Sequence, residues 1–141
     1  MKYWLFKSEP SEFGWDDLWT SPKRTTAWVG VRNFQARNYL RDDMAVGDGV
    51  LFYHSSTNPT AVMGVAEVVR AGYAEPEKPW VAVDIKAKTA FETPVTLIEM
   101  REVPALAGMG LLRKGNRLSI QPVTAAEWRK IVALGEGRRA K

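Results

Sequence analysis

The chain reads as an α+β domain built on a curled, mostly antiparallel sheet of five to six short strands, and three observations point there. Its 141 residues fit one compact unit and leave no room for a cofactor domain beside a substrate domain. Hydrophobic residues at 45% and charged residues at 26% suffice to bury a core and set the chain apart from disordered sequences. The candidate strands do not alternate with helices as βαβ units. Helices fall between the first and second strands and at the end, an order that argues for α+β.

An apolar strand is expected from Lys2 to Lys7, followed by Ser8-Glu9-Pro10, where proline removes a ladder donor. Trp15 to Trp19 reads as a short helix after Gly14, with Asp16 and Asp17 near the positive end of its dipole and Ser21-Pro22-Lys23 ending it. Asn33 stands where it can cap a second helix carrying Ala36, Leu40 and Met44 at i, i+4 and i+8. Gly47-Asp48-Gly49 is a turn before a strand over Val50–Tyr53. Beyond the loop from Ser55 to Pro59, the longest β-like run spans Ala61 to Arg70. Trp80 to Lys88 follows, with Val81, Val83 and Ile85 on one face and Asp84 and Lys86 on the other. Val95 to Ile98 is expected as another short strand, Glu99 to Val103 as a helical turn, and Leu118 to Gln121 as the last strand. The final helix is the best signalled: Thr124 and Glu127 form a capping box, Trp128, Ile131 and Val132 an apolar stripe, and Gly135 stands where a helix stop belongs. The domain is expected to span 1–135, with a basic, disordered tail over 136–141.

Composition excludes several chemistries. There is no cysteine, so a disulfide framework, a thiolate zinc site and a cysteine nucleophile are ruled out, and a single His rules out a three-histidine metal site. Neither a metal nor a cofactor is expected. No apolar run approaches the ~20 residues of a membrane-spanning helix. The segment from Met1 to Lys7 falls short of a signal-peptide core, so the expected address is the cytoplasm, or the nucleus if the source is eukaryotic. Charge is uneven: residues 113–141 hold eight of the 20 basic side chains but only two of the 16 acidic ones. That asymmetry suits a polyanion partner, while the last seven residues also read as a solvated tail.

Familiar catalytic motifs fail. Gly108-x-Gly110 begins like a dinucleotide loop, but the third glycine position is Arg113; Gly110 to Gly115 has a phosphate-loop spacing, but Asn116-Arg117 follow where Lys and Ser/Thr are needed. No nucleophile elbow exists, and His54, alone beside Tyr53 in a strand, reads more readily as a structural side chain than as a general base. What stands out is the aromatic inventory of six Trp, four Tyr and five Phe. Trp4, Trp15, Trp19 and Trp128 fit apolar faces and a core. Trp28 sits between the polar stretch Lys23–Thr26 and Gly30, where an indole is either a stacking face for a flat ligand or a lid on the core.

Four segments taken together resemble the EVE domain family: Lys7-Ser8-Glu9-Pro10-Ser11; Trp28-Val29-Gly30-Val31-Arg32-Asn33-x-Gln35-Ala36-Arg37-Asn38; Gly47-Asp48-x-Val50-Leu51-Phe52-Tyr53-His54-Ser55; and Arg117-Leu118-Ser119-Ile120-Gln121-Pro122-Val123. The resemblance runs from Tyr3 to about Leu134. One departure is Tyr73-Ala74-Glu75-Pro76, where the family usually has Tyr-Pro-Asp-Pro. The resemblance implies a PUA-like pseudo-barrel, akin to YTH and ASCH domains, in a module that binds nucleic acid and reads modified bases, notably 5-methylcytosine and its oxidised forms in DNA.

A reader of the Watson–Crick edge must extrude the nucleotide and then needs a flat wall, edge partners and an apolar niche for a methyl group. On the family-matching segments, Trp28 and Tyr53 are the wall candidates. Ser8, Asn33, His54, Ser55, Ser119 and Gln121 are candidates for edge hydrogen bonds, with Glu9 as acceptor for an exocyclic amine and the backbone of Gly30-Val31 and Leu118-Ser119 assisting. Val31, Leu118 and Pro122 are candidates for the methyl niche. Phosphate contacts are expected from Lys7, Arg32, Arg37, Arg113, Lys114 and Arg117, which set affinity and its salt dependence and not sequence choice. The expected partner is thus DNA or RNA carrying a modified base, bound by a monomer without enzymatic activity. The rivals are a binder of modified RNA and, with Lys7 and Glu9 as an acid–base pair, a nucleobase amidohydrolase similar to ASCH relatives.

Overall fold

A computed structural model describes residues 1–137. Six strands form one sheet in the order β2-β5-β4-β3-β1-β6: β1 (Tyr3–Ser8), β2 (Thr25–Trp28), β3 (Gly49–His54), β4 (Ala61–Ala74), β5 (Val81–Thr96) and β6 (Ile120–Val123). Only β1 and β3 run parallel; every other pair is antiparallel. The edge strands β2 and β6 do not pair, so the curled sheet is not closed into a barrel. Four α-helices flank it: α1 (Trp15–Thr20), α2 (Phe34–Asn38), α3 (Leu97–Arg101) and α4 (Ala125–Gly137). Among the described residues no helix is long and apolar enough to cross a membrane.

Alternation along the strands builds a core on each face of the sheet. Trp4, Phe6, Phe52, Val83 and Ile85 pack with Trp15, Leu18 and Leu40 from the helical segments that follow β1 and β2. Leu5, Leu51, Tyr53, Phe91 and Val95 pack with Met100 and Ile131 of α3 and α4. The long strands β4 and β5 serve both cores, because four register shifts between them bend the ladder.

Several expectations meet a different structure. Strand β2 is absent from the sequence reading; Lys23 and Arg24, both at positive φ, swing the chain into it at the sheet edge. Val95 and Thr96 end β5 instead of starting a strand, since Val95 pairs with Val62 and Thr96 with Ala61. Helix α3 accordingly starts at Leu97, capped by the Thr96 hydroxyl. The helix after Asn33 is capped as expected but passes into a wide π turn over Tyr39–Asp43, leaving Met44 extended. Strand β6 begins at Ile120 and includes Pro122, tolerated because β6 is an edge strand. Gly135 does not stop α4, which continues to Gly137. It is small because the Phe91 ring lies against it: a Cβ there would meet ring carbons at 2.4 Å. Residues 138–141, most of the expected tail, lie outside the described residues.

One buried carboxylate organises the turn before β3. Asp48, 3% exposed, accepts hydrogen bonds from the backbone N–H groups of Lys2 and Ala45 and from the Trp4 indole, each at 3.0 Å. Replacing it with Ala would strand three donors, the Trp4 indole N–H fully buried among them. Asp48→Ala is therefore expected to lower unfolding free energy by about 2–4 kcal/mol, measured by denaturant titration.

Candidate nucleic-acid interface

The parallel pairing of β1 with β3 aligns Lys7 with Tyr53 and Ser8 with His54, so both strands end at one rim of the sheet. There the chain is stitched across by backbone: Lys7 N–H donates to Ser119 O and Ser55 N–H to Ser8 O, each at 2.9 Å. The third wall is the segment leaving β2. These segments enclose a cleft of about 640 Å³ lined by Lys7, Ser8, Glu9, Trp28, Gly30, Val31, Arg32, Ser55, Arg117 and Ser119, together with Glu12, Phe13, Thr26, Ala27 and Val29. That is the size range of small-ligand sites.

Trp28 is half-buried. Its indole rests on Phe6 at 5.3 Å, on Phe52 at 5.6 Å edge-on and on Phe13 at 6.2 Å edge-on. Three rings thus fix its orientation while it lines the cleft, and it is not sealed among aliphatic neighbours. Gly30 follows at φ +83°, a conformation that disfavours any side chain, with open space where a Cβ would stand. Glu75, on the connection between β4 and β5, clamps this loop. Its carboxylate accepts from Gly30 N–H at 3.2 Å and takes both ends of the Arg32 guanidinium at 3.1 Å. The paired guanidinium, helped by the Gly30 N–H, holds the Glu75 carboxyl below its usual range.

Ten of the nineteen sequence candidates therefore share one cleft, with different degrees of freedom. Arg32 is engaged with Glu75 and Glu77, so it shapes the loop and is not a free phosphate contact. The Ser8 hydroxyl donates to Phe13 O, and Glu9 accepts from Ser56 at 3.2 Å. Lys7 is half-buried, burial lowers its ammonium pKa, and among the described residues neither Lys7 nor Arg117 takes part in an ion pair.

Nine candidates lie elsewhere. Tyr53 is the main correction to the expected pocket: strand alternation sends Phe52 toward Trp28 and Tyr53 into the opposite core, 3% exposed. His54 accepts a hydrogen bond from the Trp15 N–H through Nε2 at 2.9 Å, and Asn33 caps α2. Arg37 donates to Pro79 O and to Asn38, and Lys114 is exposed on a turn. Leu118, Gln121, Pro122 and Arg113 line a second cleft of about 360 Å³. The Trp28 cleft also uses Phe13, Thr26 and Val29, which sequence reasoning missed, Thr26 because the β2 strand that carries it was not foreseen. Among the described residues no group of three His, Asp or Glu is placed to hold a metal ion.

Residues 2–134 match the EVE domain family profile. The chain belongs to the EVE domain family. This EVE domain is similar to thymocyte nuclear protein 1 of Homo sapiens, with 31% identity over 168 residues, covering 95% of this chain and 74% of that protein. In structure it is similar to a hypothetical protein from Leishmania major, at 40% identity and TM-score 0.89, covering 99% of this chain and 97% of the other. It is also similar to human THYN1 protein, whose crystal structure is in complex with 5-methylcytosine containing DNA, at 30% identity and TM-score 0.87, covering 96% and 98%. The family's mixed sheet with flanking helices is the α+β pseudo-barrel that the motifs imply.

The assignment of His54 to the fold has a pH consequence. Its Nε2 can accept the Trp15 N–H only when neutral, and burial lowers its pKa from the ordinary 6.5. The stability it contributes is therefore complete above the unfolded-state value of about 6.5 and lost as pH falls below it toward the folded value. His54 is the only histidine, so NMR titration of its ring is unambiguous. A midpoint below about 6.5, with a fall in thermal midpoint between pH 7 and 5 that His54→Gln diminishes, is the expected result.

Proposed function

We propose that this domain is a non-enzymatic nucleic-acid-binding module that holds a modified, flipped-out base in the Trp28 cleft, with 5-methylcytosine in DNA as the favoured ligand. The observation that carries this reading is a half-buried indole, braced by three rings, lining an open cleft beside Lys7 and Arg117, two cations that take part in no ion pair among the described residues. The likeness in fold and sequence to human THYN1 protein, crystallised with 5-methylcytosine containing DNA, supports the choice of partner.

Each component has a physical role. Trp28 offers a stacking face worth about 1–3 kcal/mol per base. Ser55, Ser119 and the backbone near Gly30 supply edge partners, and Glu9 an acceptor for the cytosine amine. Val31 is the member of the proposed methyl niche that lines this cleft. Burying one methyl contributes about 0.8 kcal/mol, a factor of about four, so discrimination must draw on edge hydrogen bonds as well as on size. Lys7 and Arg117 meet the phosphates and set the salt dependence.

A rival reading has one observation in its favour: Lys7, with its ammonium pKa lowered by burial, lines the same cleft as Glu9. Turnover of N4-acylated cytidine would establish that amidohydrolase reading. RNA with the same modified base, used as competitor, separates an RNA reader from a DNA reader. The main test is anisotropy with an oligonucleotide containing a single 5-methylcytosine. Trp28→Ala is expected to weaken binding by about 5- to 150-fold, and Arg117→Ala to reduce the salt slope by about one. Parent-like affinity in Trp28→Ala overturns the pocket assignment.

A further inference from the structure

Taking a base out of a duplex leaves a gap in the stack, and the base pairs on either side lose their contact across it. Proteins that open DNA in this way offset the loss by pushing an apolar side chain into the gap. Among the described residues five large apolar side chains stand exposed: Met1, Val29, Phe34, Val46 and Ile98. Of these, Val29 lines the Trp28 cleft and the other four do not. Val29 is 59% exposed, which puts it on the rim of the cleft and not in its floor. Phe34 is as exposed, at 58%, but its ring is stacked on Trp80 at 5.0 Å.

The backbone holds Val29 from both sides. Trp28 before it is paired with Val83 in the sheet, and Gly30 after it donates its N–H to the Glu75 carboxylate at 3.2 Å. Branching at Cβ restricts the valine to few rotamers, so little freedom is lost when it inserts. Gly30 has open space where a Cβ would stand, which lets a DNA backbone come close beside the valine. Lys7 and Arg117, in no ion pair among the described residues, line the same cleft as cations for the flanking phosphates. We propose that Val29 is a wedge that enters the stack vacated by the base taken into the Trp28 cleft, so that the domain draws its base from a duplex. The proposal rests on the reading above for the extruded base and adds the form of the polymer and the residue that opens it.

The test is anisotropy of the whole chain with an oligonucleotide containing one 5-methylcytosine, once single-stranded and once in duplex, for the parent, Val29→Ser and Val29→Leu. A single strand has no gap to fill, so the wedge acts on the duplex alone. Val29→Ser is expected to weaken duplex binding about three- to tenfold and to leave single-strand binding within about twofold of the parent. Val29→Leu keeps parent-like duplex binding. The side chain is exposed, so neither change threatens the fold. Equal losses on both forms make Val29 an ordinary wall of the pocket and overturn the proposal, and so does unchanged duplex affinity in Val29→Ser. A parent that binds the single strand but not the duplex sinks the wedge and leaves the Trp28 reading standing. A parent that binds neither form, or parent-like binding of both by Trp28→Ala, sinks the Trp28 reading, and the wedge falls with it.

Discussion

The cleft depends on the Glu75 carboxylate and its grip on the loop after β2. A four-residue edge strand followed two residues later by a glycine at φ +83° has little of its own to hold it in place. Glu75, on the connection into the neighbouring strand β5, supplies the restraint: two parallel bonds to Arg32 and a third from the Gly30 backbone. A bidentate arginine–carboxylate pair fixes direction as well as distance, so the backbone on both sides of Val31 is pinned. Where the family pattern has Asp, this chain has a carboxylate one methylene longer, which preserves the chemistry of the clamp. The pair is more informative as a positioning device than as a source of stability, since Arg32 stays largely solvated.

The rest of the site follows from how strands end. Parallel neighbours β1 and β3 finish together, and antiparallel β6 begins beside the end of β1, so three segments bring Ser8, Ser55 and Ser119 to one rim. Beneath them the Phe6, Phe52 and Trp28 rings join the core to the cleft. The same contacts that exclude water from one sheet face orient the ring proposed to receive a ligand. Stability and recognition here share side chains, and a change at Phe6 or Phe52 acts on both.

Much of this was legible in the sequence, for reasons that differ from residue to residue. Asn33 and the Thr124–Glu127 box declared helix starts because capping is local chemistry. Trp28 stood out because a bulky ring beside a glycine has few structural explanations. Strand β2 was illegible because its Thr-Thr-Ala-Trp run is half-exposed and pairs only with β5, some sixty residues away. Gly135 misled because a glycine near a helix end reads as a stop, while its true reason, the Phe91 ring, lies 44 positions earlier. Tyr53 and His54 stand side by side in the family motif, although adjacent strand residues cannot face the same way.

The Arg117–Val123 motif likewise divides between two faces. Read as a string, Arg117, Leu118, Ser119, Gln121 and Pro122 look like one set of ligand contacts. Folded, they form a partition, with Arg117 and Ser119 toward the indole and Leu118, Gln121 and Pro122 toward the other cleft. A segment with a cleft on each side needs its own backbone groups satisfied from within. Asn116 and Gln121 do this at Leu118, one accepting from its N–H and the other donating to its carbonyl. The polar residues of the motif thus hold the wall between two cavities upright. Among the described residues, Oε1 of Gln121 is the buried side-chain polar atom left without a partner, and an amide already committed at its nitrogen cannot turn away to satisfy it.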